Sequence, residues 1–210
     1  AREFPVDIRP MTWKPSKAIS QRCSGALAWC RGLAGQFDGK KLKRVDWAVS
    51  AYKNVVGWGL TKSTYGVPHT IVVYLNTACN GGDLMWVTRS VRVTADPSAD
   101  DRAAAEKKIR ELMLPGELMG EMRILGKRVV CELWSRYYAP SLDVAAVWIF
   151  GHELWHFLCG TRQVKGANTE QNACAAGSWL SDMYQRSATP KDAALFLRAS
   201  AHNIGQLERE

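Results

Sequence analysis

Short apolar runs and alternating segments in the middle of the chain predict β-strands. Residues 70–75, TIVVYL, are mostly β-branched or aromatic, which is typical of a buried strand. Apolar and polar residues alternate over 85–94, which predicts a half-buried strand. Asn80-Gly81 and Gly126-Lys127 are turn dipeptides next to such segments, so we expect a hairpin at each of them.

Longer segments carry helical patterns. Helices are predicted over about residues 16–33, 45–56, 98–113, 141–160 and 168–185, and from 189 onward. Gly57, Gly59 and Gly66 predict a loop after the second of these helices. Asn168, with Gln171 three residues later, resembles a capping box that opens a helix. The order of helices, a small and mainly antiparallel sheet and further helices predicts an α+β fold.

The length and composition fit one globular domain. The chain has 210 residues, of which 47% are hydrophobic and 23% charged, as in ordinary globular proteins. We predict a single domain over 1–210, with an N-terminal helical part over about 1–66 and the sheet and later helices over about 67–210. The longest apolar run contains two histidines and a glutamate, which are costly in lipid, so we predict no membrane-spanning segment.

The net charge and the cysteines bear on the partners and the cellular location of the protein. The net charge of +8 favours an acidic partner or nucleic acid. The basic residues are scattered, however, as they also are in a basic protein without such a partner. The six cysteines form no Cys-x-x-Cys pair, which argues against a zinc ribbon. Because the first residues also lack the apolar core of a signal peptide, we expect reduced thiols and a cytoplasmic location.

The sharpest chemical signal is HELWH at residues 152–156. On a helix, residues four apart project in nearly the same direction, so His152 and His156 lie one turn apart on one face. Two imidazoles placed in this way can bind one ion at about 2.0–2.1 Å. Glu153 points about 100° away around the axis, so it can reach a water molecule without being a ligand. We therefore predict Zn²⁺ bound by His152 and His156, with Glu153 as the catalytic base.

The surroundings of HELWH support a metal site. Between Leu142 and Thr161 the only charged residues are Asp143 and Glu153, so the helix is apolar on all sides and should be buried. An unpaired carboxylate at the middle of a buried helix is costly, and a metal site gives it a partner. The alternative is a pair of core histidines with ordinary hydrogen bonds beside a salt-bridged glutamate.

A catalytic zinc site has three protein ligands and one open position, so a third ligand is required. We select Glu170, which opens the next helix, because Ala173, Ala176 and Gly177 follow it at helical spacing and would let the two helices approach closely. Glu170 could instead serve only to favour the helix dipole. The competing ligands are Cys159, Cys174, Asp182 and His202.

HELWH, followed by EQNACAAG at residues 170–177, resembles the gluzincin branch of the zincin metallopeptidases. It is also similar to small bacterial and phage sequences assigned as metallopeptidases. The resemblance covers about residues 141–185. It implies a zincin-like fold, with an active-site helix, a sheet whose edge strand binds an extended substrate, and a second helix that bears the ligand Glu170. It also implies hydrolysis of proteins or peptides through a zinc-activated water, with Glu153 as general base.

The resemblance has one informative departure. Many gluzincins carry an aspartate shortly after the ligand glutamate, where it orients a ligand histidine. Ala173 and Cys174 occupy this region here, so the support for that histidine must come from elsewhere. The hypothesis for the substrate-binding edge strand is RVVCELW at 128–134, which can equally be an ordinary sheet member. The candidate donors to an oxyanion are Tyr137, Tyr138, Arg162 and His202.

Two other functions fit the same residues. A zinc amidohydrolase of the deformylase kind would act on a small amide, and assays with formylated peptides and folded proteins would distinguish it from a peptidase. A basic nucleic-acid or protein-binding module would hold a structural or vestigial metal. Salt-dependent DNA binding that a chelator does not affect would favour the module.

Overall fold

The structure is a computed structural model that describes residues 11–37, 41–94 and 99–200. The strands are β1 (Thr12–Pro15), β2 (Arg44–Val49), β3 (Gly57–Thr64), β4 (Val67–Leu75), β5 (Gly82–Thr94), β6 (Leu118–Leu125) and β7 (Arg128–Ala139). The helices are α1 (Lys17–Arg22), α2 (Ser24–Ala34), α3 (Ala99–Leu112), α4 (Leu142–Gly160), α5 (Glu170–Gln185) and α6 (Pro190–Ser200). The fold is α+β, with small sheets, as predicted.

The chain divides into two compact units. The smaller unit comprises residues 83–138, and the larger unit contains the described residues on either side of that segment. No helix in the described ranges is long and apolar enough to cross a bilayer.

A mixed four-stranded sheet forms one layer of the larger unit. Its strand order is β1-β2-β4-β3. The pairs β1–β2 and β2–β4 are parallel, whereas β3 runs antiparallel to β4 at the edge. The prediction of a mainly antiparallel sheet is therefore wrong for this unit, because β1, β2 and β4 come from distant parts of the chain and align in one direction.

Helix α4 packs between this sheet and the helices behind it. Ser141 caps its first turn by accepting a hydrogen bond from the amide of Val144 at 3.2 Å. Phe150 stacks on Trp47 of β2, with 5.7 Å between the ring centroids. Because α4 contacts the sheet on one side and α2 and α5 on others, nearly all its side chains are buried, as its apolar sequence requires.

The contact between α4 and α5 is unusually close. A Cβ atom on Gly177 of α5 would lie 2.7 Å from the carbonyl oxygen of Trp148 on α4. A Cβ atom on Gly151 would lie 2.7 Å from Leu180. Ala173 and Ala176 are fully buried on α5. These small residues bring the start of α5 close to α4, as the sequence predicted.

The smaller unit is a three-stranded sheet with the order β5-β7-β6, together with α3. Its buried cluster joins helix and strand residues and consists of Val91, Val93, Ala105, Ile109, Val129, Cys131 and Leu133. The predicted turn at Gly126-Lys127 joins β6 to β7, which pair antiparallel. β7 contains 128–134 and is the central strand, so the hypothesis that this segment is an edge strand is wrong.

Three other local predictions are wrong. Residues 44–49 form β2 rather than a helix, because Val45 and Trp47 alternate with more exposed residues and the strand pairs on both sides. The segment with Gly57 and Gly59 is β3 rather than a loop. The turn at Asn80-Gly81 does not close a hairpin, because β4 and β5 belong to different sheets. The helix predicted over 16–33 is present but divided at Cys23 into α1 and α2.

Candidate metal centre

The two histidines of HELWH face each other on α4. The Nε2 atoms of His152 and His156 are 3.2 Å apart, which the four-residue spacing on a helix makes possible. His152 is buried and His156 is half-buried. Both rings therefore direct the same nitrogen toward one point beside the helix.

Glu170 reaches the same point from the first residue of α5. Its Oε2 lies 3.2 Å from Nε2 of His152, and its Oε1 lies 3.4 Å from Nε2 of His156. The side chain is 49% exposed, so it closes the group on the solvent side. Among the described residues, these three are the group of histidine, cysteine or carboxylate side chains whose donor atoms lie close enough to share an ion, all within 4.8 Å.

The separations of the donor atoms fit a tetrahedral ion. In a tetrahedral zinc site with bonds of about 2.0–2.1 Å, neighbouring donors lie about 3.3 Å apart. The two Nε2 atoms lie 3.2 Å apart, Oε2 of Glu170 lies 3.2 Å from Nε2 of His152, and Oε1 of Glu170 lies 3.4 Å from Nε2 of His156. Two imidazole nitrogens and one carboxylate oxygen are also ligands that zinc accepts, and they leave one position for water or substrate.

Second partners fix the orientation of both rings. Nδ1 of His156 lies 2.8 Å from Oδ1 of Asn168 and donates to it, because an amide oxygen can only accept. Nδ1 of His152 lies 3.5 Å from the thiol sulfur of Cys174, a contact that sulfur can make. In His156 the hydrogen bond donated from Nδ1 leaves the Nε2 lone pair for an ion, the usual arrangement of ligand histidines.

Asn168 was predicted as the first residue of a capping box, and this prediction is wrong. The N-cap of α5 is Thr169, whose hydroxyl accepts from the amide of Asn172 at 3.2 Å. The side chain of Asn168 is free of that role and bonds to His156 instead. Cys174, considered as a ligand, lies at the opposite nitrogen of His152 from the shared point.

Glu153 lies beside this group without belonging to it. The residue is 6% exposed, and its side chain points toward β3. The hydroxyl of Thr61 lies 2.8 Å from its Oε2 and 3.0 Å from its main-chain oxygen. Glu153 is therefore a buried carboxylate that interacts electrostatically with His152, His156 and Glu170.

The electrostatics of the site separate its two carboxylates. Burial raises the pKa of Glu153, and the nearby histidines and Thr61 offset this only in part. Hydrogen bonds with His152 and His156 hold the pKa of Glu170 well below its usual range. Burial lowers the pKa of His156, but its bonds with Glu170 and Asn168 outweigh burial and leave the pKa above its ordinary value. Glu170 is thus kept as an anion that can ligate, whereas Glu153 is protonated more easily than an ordinary glutamate.

The other candidate ligands in the described part of the chain do not join the three donor residues. Cys159 packs near the loop, where its sulfur lies 4.0 Å from the carbonyl of Ala167 and burial raises the pKa of its thiol to about 11. Asp182 is not part of the group of donor atoms. His202 lies outside the described residues. Of the other proposed oxyanion donors, Arg162 directly follows α4 and its C-cap, whereas Tyr137 and Tyr138 belong to the smaller unit.

Sequence reasoning missed the residues of β3. Gly59 and Thr61 lie on the face of β3 that contacts α4, and both touch Glu153. Their one sequence signal is the alternation of Gly57, Gly59 and Thr61, which places three small residues on one face of a strand. This signal is weak, because glycines also mark loops.

Comparisons with protein-family models, curated proteins and solved structures gave no match to this chain. A functional assignment therefore depends on the chemistry and geometry of the residues themselves.

Proposed function

We propose that the protein is a zinc-dependent metallopeptidase, in which His152, His156 and Glu170 hold the ion and Glu153 is the general base. The observation that carries this proposal is the convergence of the two Nε2 atoms and the Glu170 carboxylate, at separations of 3.2 to 3.4 Å, with the buried Glu153 on the same helix. The zincin-like, gluzincin-like classification, the cytoplasmic location and an acidic or nucleic-acid partner are further parts of the proposal that follow from the sequence.

The donor set favours zinc over harder cations. Magnesium and calcium prefer all-oxygen ligands, whereas two imidazoles and a carboxylate suit zinc. The same ligands can also hold non-haem iron, so the identity of the metal must be measured. When bound, a zinc ion would act as a Lewis acid that activates water and polarises the substrate carbonyl.

The protein's own residues supply the remaining steps. Glu153 accepts a proton from the attacking water at a carboxylate oxygen and delivers it to the nitrogen of the leaving amine. Its raised pKa makes the protonated form accessible in the second of these steps. Asn168 keeps the His156 imidazole in the tautomer that presents Nε2 to the ion, and Cys174 contacts Nδ1 of His152.

The sheet supports a peptide as the substrate class. β3 is the edge strand of the four-stranded sheet, and no described strand pairs with its outer side. An extended peptide can add to such an edge through main-chain hydrogen bonds. Because β3 also contacts Glu153, a peptide on this edge would lie next to the general base.

Metal analysis with a peptide digest tests the proposal. We expect about one zinc per chain, and cleavage of a peptide mixture that a chelator abolishes and added zinc restores. His156→Ala should lose both the zinc and the cleavage. His69→Ala is the matched control, because His69 on β4 bonds to Thr64 and Thr70 and is not part of the group. Stoichiometric iron, or cleavage that continues in His156→Ala, would refute the zinc peptidase.

A further inference from the structure

Two residues of the edge strand determine where the Glu153 side chain lies. Thr61 has a single hydroxyl hydrogen, and its oxygen lies 2.8 Å from Oε2 and 3.0 Å from the main-chain oxygen of Glu153. Either hydrogen bond ties Glu153 to β3. The hydroxyl therefore connects β3 to Glu153, the residue that follows His152 on α4.

Gly59 leaves room for the same carboxylate. A Cβ atom at this position would lie 2.7 Å from Cγ and 2.9 Å from Oε1 of Glu153, and 2.8 Å from Cγ2 of Ile149. Real Cβ atoms do not approach other atoms so closely, so any larger residue would force Glu153 or β3 to move. Gly59 and Thr61 are two residues apart on one face of the strand, so each lies against a different part of one side chain.

We infer that Gly59 and Thr61 are positioning residues of the general base, a role that rests on the proposed peptidase function. Thr61 holds Oε2, and none of the described residues donates a hydrogen bond to Oε1, which is left for a water molecule. Gly59 lets Cγ and Oε1 of Glu153 lie against the strand, where a Cβ atom would overlap them. The edge strand thus fixes which carboxylate oxygen accepts the proton.

This role differs from that of a metal ligand or of a residue that orients one. Thr61 and Gly59 touch Glu153 and not the three donor atoms, so their loss should reduce the chemical step while zinc binding is retained. A hydrogen bond to a charged group contributes enough that its loss corresponds to about a tenfold change in rate.

Steady-state kinetics of the zinc-loaded full-length protein test the role of Thr61. The probe is a fluorogenic peptide selected by cleavage with the wild-type protein. For Thr61→Val we expect kcat about tenfold lower, with KM and zinc affinity within about twofold of wild type. Thr61→Ser should recover most of kcat, because serine keeps the hydroxyl.

The matched control is Thr88→Val, which removes a threonine hydroxyl of β5 that lies 2.9 Å from Oε1 of Glu117 and 3.0 Å from the main-chain oxygen of Leu133. It should leave kcat unchanged. Gly59→Ala should lower kcat in the same way as Thr61→Val, since a methyl group there displaces the carboxylate. If Glu153→Gln abolishes cleavage but Thr61→Val leaves kcat unchanged, the inference is refuted and the proposed function stands.

A double-mutant cycle tests the contact without any assay of activity. Urea unfolding midpoints are compared for wild type, Thr61→Val, Glu153→Ala and the double variant. We expect Thr61→Val to lower the midpoint when Glu153 is present and to change it much less when Glu153 is absent. Equal shifts in the two backgrounds would show that no contact exists. A protein that shows this coupling but no cleavage would refute the proposed function and, with it, the catalytic role of the contact.

Discussion

Two glutamates of this protein have similarly little exposed surface, but their pKa values are shifted in opposite directions. Glu153 in the larger unit is 6% exposed and Glu117 in the smaller unit is 9% exposed. Burial raises the pKa of Glu153 and its partners offset this only in part. Burial also opposes ionisation of Glu117, but hydrogen bonds from Arg89, the Leu114 amide and Thr88 outweigh it and hold its pKa below the usual range.

The two carboxylates differ in their hydrogen-bond partners, and Glu153 also lies deeper in the protein. Oε1 and Oε2 of Glu117 lie 3.0 and 2.9 Å from two nitrogens of the Arg89 guanidinium, and Oε2 also accepts from the Leu114 amide at 2.8 Å. Glu153 accepts from one neutral hydroxyl at its side chain. A fully bonded carboxylate is a structural element, whereas a buried one with few partners can exchange a proton.

The largest expected difference between the two glutamates is in catalysis. Glu153→Gln should lower peptide cleavage by at least about a hundredfold while zinc remains bound, because a general base is lost. Glu117→Gln should leave cleavage per folded molecule unchanged. Both variants are assayed at equal zinc occupancy. Full activity in Glu153→Gln would remove the functional distinction between the two glutamates.

The next effect is on stability. Glu117→Ala should lower the free energy of unfolding by about 2 kcal/mol, since it breaks hydrogen bonds to a charged group and leaves Arg89 without its acid. The expected loss of stability is modest because the Arg89 side chain is 40% exposed and keeps contact with water. Urea unfolding measures the change. Glu121→Ala, at an exposed glutamate of β6, is the control and should change stability by less than about 0.5 kcal/mol.

The contribution of Glu117 should also depend on pH. Its folded-state pKa lies below its unfolded-state pKa of about 4.3, so its stabilisation is fully present above that value. The stabilisation is lost as the pH falls through the folded-state pKa. The difference in unfolding free energy between wild type and Glu117→Gln should therefore be constant from about pH 7 to 5 and shrink below about pH 4. A difference that grows in acid would contradict the assigned direction.

The smallest effect has the opposite sign. In protein stripped of metal with a chelator, Glu153→Gln should raise the unfolding midpoint slightly at neutral pH, because it removes a buried charge that folding disfavours. Since the pKa of Glu153 is raised on folding, this gain should appear as the pH rises through the unfolded-state pKa of about 4.3. Thermal unfolding at pH 4 and pH 7 measures it. A lower midpoint at neutral pH would show that Glu153 stabilises the fold.

The helix side of the site could be predicted from sequence because its signals are local. The spacing of His152 and His156 fixes their common direction once the segment is helical. Glu170 could be selected because the small residues after it allow α5 to approach α4, and the structure places it 3.2 Å from His152. The predicted bounds of both helices, 141–160 and 168–185, lie within two residues of the observed ones.

The strand side could not be predicted because its causes are distant in the chain. Gly59 disfavours a strand locally, and only the approach of α4 explains a glycine there. Residues 44–49 became a strand through parallel pairing with β1 and β4, which no local pattern reveals. Asn168 carries a capping signature, but its partner His156 lies twelve residues earlier and is brought to it by the turn between α4 and α5.

The close contact between Gly151 on α4 and Gly177 on α5 determines how near the Glu170 carboxylate lies to the two histidines. Gly177 lies two helical turns beyond Glu170, so a methyl group there would wedge the second helix outward and carry the carboxylate with it. Metal–ligand bonds accept displacements of only about 0.2 Å. Binding of a cation by the proposed ligands would therefore depend on the absence of a Cβ atom at Gly177.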